Sequence, residues 1–170
     1  MTHPPIDAAQ RPAAWAQPSP VLSQAGLQNV YQIDEGLYRA EQPSDEVLAQ
    51  LFAGTFTTPA GVPFKTVVNL RETPIDAPLA LPDSQTQLVD LSLKTWDVDD
   101  QDILAFLRVA TNPAQRPVIV HCRHGADRTG TMVAAYRMVV QGWSADAALA
   151  EMQQGGFGYH LLWVNLRRRI

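Results

Sequence analysis

The chain has 170 residues, of which 46% are hydrophobic and 18% charged, and it carries a formal net charge of −4. A length of this order suits one folded core, and the composition excludes a disordered or fibrous chain. The acidity argues against a nucleic-acid partner or an anionic membrane surface, so any affinity for phosphate must be local. Cys122 is the only cysteine, which excludes an intrachain disulfide and a Cys-rich zinc site.

In chain order, residues 1–26 carry five prolines set among Ala and Gln, which predicts an extended or partly disordered arm ahead of a single domain over residues 27–170. The first 20 residues lack the apolar run of a secretory signal, and no later segment has the length of a membrane span. The expectation is a cytoplasmic protein, or a periplasmic one if a signal peptide has been removed. Val30 to Ile33 and Leu37-Tyr38, on either side of Asp34-Glu35-Gly36, predict two short strands joined by a tight turn. Ser44 then has the position of a helix cap, with Asp45 and Glu46 in a first turn where the helix dipole favours negative charge.

Residues 53–63, rich in Gly, Thr and Pro, predict a loop, and residues 65–70 a central strand. Residues 88–93 predict another strand. A helix opens at residues 97–100, with Ile103, Leu104, Phe106, Leu107 and Val109 at helical spacing. Residues 117–121 (PVIVH) form an unbroken apolar run of the kind buried in parallel sheets. Helices are then predicted over 129–141, from a cap at Ser144 through Gln154, and from about Tyr159 to the end. Alternating strands and helices predict an α/β fold with a mostly parallel central sheet flanked by helices.

The chemistry concentrates in residues 118–130 (VIVHCRHGADRTG), a buried strand that ends in a cysteine, then a loop, then a helix. A loop that wraps back to a helix N-terminus aims its backbone N–H groups inward as an anion cradle, and Gly125 permits the turn. The candidate cradle comprises Cys122, Arg123, His124, Gly125, Ala126, Asp127 and Arg128. Those N–H groups, the dipole and Arg128 favour a negative sulfur, so Cys122 is expected to be a nucleophilic thiolate. Arg128 can grip two phosphoryl oxygens through its planar fork and follow the charge into the transition state. Thr129 is expected to donate its hydroxyl to the sulfur, and His121 to brace the loop from a buried position by donating to a carbonyl.

His121, Cys122, Gly125, Arg128, Thr129 and Gly130 resemble the signature His-Cys-x-x-Gly-x-x-Arg-Thr-Gly of the protein tyrosine and dual-specificity phosphatase superfamily. Residues 37–43 (LYRAEQP), 65–71 (KTVVNLR), 136–143 (YRMVVQGW) and 151–158 (EMQQGGFG) are similar to bacterial tyrosine phosphatases of that superfamily. The resemblance implies a dual-specificity phosphatase-like fold and a two-step hydrolysis that uses no metal and no other cofactor. The implied partners are phosphorylated proteins or small phosphate esters.

It also implies an Asp that protonates the leaving oxygen. Lys94 to Asp100 lies in the expected place, and Asp97 is the candidate because Asp99 and Asp100 suit the helix cap. Asp127 is the alternative, with a loop-bracing hydrogen bond as its bland reading. Arg39 and Arg71 read as structural ion pairs with Glu41 or Glu72, and Trp143, Phe157 and Trp163 as packing residues. Charge at Arg123, His124 and Asp127 keeps an inositol phosphate or phosphoinositide substrate open. The uncertain acid keeps open a phosphate-binding module that turns over weakly.

Overall fold

A computed structural model describes residues 10–94 and 97–160. Among the described residues six strands form one sheet: β1 (Gln17–Pro18), β2 (Tyr31–Asp34), β3 (Leu37–Ala40), β4 (Thr66–Asn69), β5 (Gln87–Asp90) and β6 (Val118–His121), in the order β1-β2-β3-β6-β4-β5. From β3 to β5 the neighbours are parallel, whereas β1, β2 and β3 are joined antiparallel. The expected mostly parallel sheet flanked by helices is therefore observed.

Strands β3, β4 and β6 are buried along their whole length, because helices cover both faces. The helices are α1 (Pro20–Gln24), α2 (Asp45–Phe52), α3 (Asp100–Thr111), α4 (Asp127–Val139) and α5 (Ala145–Gln154). On one face Val68, Val118 and Val120 meet Phe106 of α3 and Met132, Val133 and Tyr136 of α4. On the other, Tyr38, Val67 and Ile119 meet Leu22 of α1 and Val47, Leu48 and Leu51 of α2. Helix α5 packs outside α4, where Arg137 and Glu151 form a buried ion pair at 2.7 Å.

The capping residues act as their chemistry dictates. The Ser44 and Ser144 hydroxyls accept from the N–H groups of Val47 and Ala147, and Asp99 and Asp102 form a reciprocal capping box. From residue 10 onward the proline-rich stretch is built into the domain. Pro20 opens α1, Ala16 and Leu22 are buried, and the Ala16 N–H donates to Glu151 at 2.5 Å. The helix expected from about Tyr159, together with Trp163, falls largely outside the described residues.

Candidate active site

Cys122 stands at the carboxyl end of β6, where Ala40 of β3 and Asn69 of β4 lie level with His121. The thiol is buried, Arg123 and His124 face solvent, and the chain turns at Gly125 before α4 begins at Asp127. Gly125 has φ 65°, and a Cβ there would come within 2.4 Å of the Ala40 carbonyl oxygen. Both the dihedral and the close approach therefore require glycine. Arg128 is half-buried and enters from the first turn of α4. Its Nη1 donates to the carbonyls of Leu70 (3.3 Å) and Leu93 (3.1 Å), which fixes the plane of the guanidinium at the ends of β4 and of the segment after β5.

A second guanidinium lies under the loop. Arg39 is 1% exposed; its Nη2 donates to the carbonyls of Gly125 (2.6 Å) and Ala126 (3.3 Å), and its plane stacks on Phe157 with Cζ 3.7 Å from the ring centroid. Burial lowers its pKa to about 10, against the raising influence of Glu151 and Cys122, so it remains a cation at neutral pH. The expected ion pair with Glu41 is replaced by these contacts. The Ala126 carbonyl also accepts from the Gly130 N–H at 2.8 Å, so the planar cation chiefly satisfies the inward-facing Gly125 carbonyl, and this leaves the loop N–H groups for an anion.

His121 is buried, as expected of a brace, but its Nε2 lies 2.8 Å from the Asp76 carboxylate rather than against a carbonyl. Asp76 is itself fully buried and accepts from Gln42 Nε2 at 2.8 Å; the Gln42 side-chain oxygen accepts from Arg71 at 3.2 Å, and its backbone N–H donates to Arg123 O at 3.3 Å. Arg71 thus ties to Gln42 rather than to Glu72. This polar chain runs from the neighbour of Cys122 to the end of β4. The Thr129 hydroxyl is buried and has no hydrogen-bond partner among the described residues, so the expected donation to sulfur is not formed here.

Asp127 is committed elsewhere. Its carboxylate accepts the His160 N–H at 2.8 Å and lies 2.8 Å from His160 Nδ1, the bracing role that sequence offered as the bland reading. Asp99 caps α3, and Asp97 is exposed, its N–H donating to Lys94 O at 3.1 Å. Thr95 and Trp96 of that loop lie outside the described residues. Of Asp97, Asp99 and Asp127, the latter two have their carboxylates engaged in hydrogen bonds, whereas that of Asp97 accepts none among the described residues. Sequence reasoning missed Arg39, Asp76 and His160. Arg39 alone carried a signal, its place in the block at residues 37–43.

The family model described as a DSP-PTPase phosphatase fused to NAD+ kinase matches residues 28–161. The chain belongs to this dual-specificity phosphatase-like family. It is 37% identical over 153 residues to the dual specificity protein phosphatase TpbA of Pseudomonas aeruginosa, a match that covers 89% of this chain and 63% of the relative's length. The crystal structure of TpbA superposes with a TM-score of 0.72 at 33% identity, covering 94% of this chain and 91% of the other. A TpbA variant in complex with pTyr superposes at 0.70, with 33% identity and 94% and 88% coverage. The core catalytic domain of the PP-IP phosphatase SIW14 from S. cerevisiae shares the fold at 21% identity, with a TM-score of 0.65 and 84% and 85% coverage.

Proposed function

We propose that this chain hydrolyses phosphate monoesters, above all phosphotyrosine in proteins, through a phosphocysteine at Cys122. The observation that carries the reading is the loop itself. A buried thiol at the carboxyl end of β6 is followed by a loop that turns at Gly125 into α4, with an anchored guanidinium at the loop's end. The similarity to TpbA, and the pTyr bound to that protein, support the substrate class.

In the first step the Cys122 sulfur forms a bond to phosphorus as the ester P–O bond breaks, and Asp97 gives its proton to the leaving oxygen. The loop N–H groups and the Arg128 fork bind the equatorial oxygens, where charge is held during transfer. In the second step water attacks phosphorus, the S–P bond breaks, the Asp97 carboxylate takes the water proton, and inorganic phosphate leaves. His121 and Arg39 act by holding the loop in shape.

Comparing kcat/KM for a phosphotyrosine peptide, a phosphoserine peptide and a panel of inositol phosphates tests the assignment. Preference for the phosphotyrosine peptide is expected. A preference for an inositol phosphate would overturn it.

A further inference from the structure

Arg11 stands ahead of β1, in a stretch whose composition predicts an extended arm, yet its guanidinium is fixed at several points. Nε donates to the Ala16 carbonyl at 2.6 Å and Nη1 to the Gly155 carbonyl at 2.8 Å. Its Cζ lies 4.9 Å from the ring centroid of Tyr31 and 5.3 Å from that of Phe157. The same stretch is fastened again where the Ala16 N–H meets Glu151 of α5 and where β1 pairs with β2.

Phe157 is also the ring on which Arg39 stacks. It is buried, it meets Tyr31 edge to face with centroids 4.7 Å apart, and Arg39 Cζ stands 3.7 Å from its centroid. Ring faces attract guanidinium groups, which lets two like charges gather around Phe157. The ring folds back over the end of α5, where a Cβ on Gly155 would overlap it. Holding the Gly155 carbonyl therefore holds the backbone that the ring rests on. Arg39 in turn donates to the Gly125 carbonyl of the phosphate loop at 2.6 Å. Contact is thus continuous from residue 11, through residues 155 and 157, to Arg39 and the loop.

We propose that Arg11 is a positioning residue for the reaction: acting through Phe157 on Arg39, it keeps the Gly125 carbonyl on the buried guanidinium and the loop N–H groups convergent on the phosphate. The proposal rests on the reading of this loop as a phosphate cradle, and adds a residue distant in sequence on which the cradle's shape depends. A merely structural role would loosen residues 10–18 and 155–158 and stop there. A positioning role extends to residues 123–128.

The test compares the parent chain with Arg11→Met, Phe157→Leu and the double substitution, by amide hydrogen exchange of the free chain and by affinity for vanadate. Arg11→Met should speed exchange across residues 123–128 and weaken vanadate binding about three- to ten-fold, the scale on which contact networks couple separated sites. Added to Phe157→Leu it should cost much less, because the path through the ring is already broken. Arg11→Lys, which keeps the charge but loses the planar fork, carries the same test if the Met chain does not fold. Loop exchange that stays at the parent rate, an unchanged affinity in a chain that binds vanadate, or full additivity of the two substitutions overturns the proposal. If the parent chain binds no vanadate, the phosphate-cradle reading fails, and exchange in the loop alone decides whether Arg11 shapes it.

Discussion

The loop around Cys122 is held from three directions: Arg39 takes two of its carbonyls from below, Asn29 and Gln42 take those of His124 and Arg123 from the side, and Asp127 pins its far end to His160. Among the described residues, the segment that carries Asp97 shows fewer polar ties. They include the Asp97 N–H to Lys94 O and the capping box that begins at Asp99; Val98 between them is buried in the core, whereas Asp97 itself is exposed. An anion cradle must keep its N–H groups convergent whether or not it is filled, since a donor that reorients during the reaction forfeits most of its stabilisation. A proton donor needs only to reach the leaving oxygen, and can stand on a looser segment.

Substitutions can break that contrast, starting with the largest effect. Asp97→Asn should lower kcat about 10²- to 10⁴-fold on an alkyl phosphate with little change in KM, and should lose least on a substrate with a good leaving group such as para-nitrophenyl phosphate. An equal loss on both substrates would move the acid to another residue. Arg128→Lys keeps the charge but not the fork, and a fall of about 10²- to 10³-fold in kcat/KM is expected from steady-state kinetics.

Arg39→Met should leave the Gly125 carbonyl without its partner, while that of Ala126 keeps the Gly130 N–H. The expected cost is about 1–3 kcal/mol in denaturant unfolding, with weaker inhibition by vanadate. Unchanged stability would mean that the loop does not depend on its buried cation. Asp99→Ala sharpens the comparison from the other side. It should cost about 0.5–2 kcal/mol through loss of the cap of α3, while the kcat of Asp97-dependent turnover changes much less than in Asp97→Asn.

The local features of this chain were legible because they are written in short spacings. The apolar run before Cys122, the caps at Ser44, Ser144 and Asp99, and the glycine at 125 each act through neighbours a few residues away, so α4 and its loop could be placed from sequence. What escaped was pairing over distance. Arg39 meets residues 125 and 126, Asp76 meets His121, and Asp127 meets His160; no periodicity couples such positions. Proline at 20, in a stretch whose composition predicts an extended arm, is as consistent with the first position of α1. The burial of His121 follows from the apolar run that precedes it, but its partner Asp76 lies in the segment after β4, where no periodic pattern marks an element.

The most direct measurement is rapid quenching of the chain with a phosphotyrosine substrate, followed by intact-mass and peptide mapping. A phosphoryl group should appear on Cys122 within the first turnover and decay as phosphate is released, and it should be absent from Cys122→Ser, which should also lose turnover. Turnover without that adduct, an adduct on a different residue, or a Cys122→Ser chain that works at the parent rate would contradict the account.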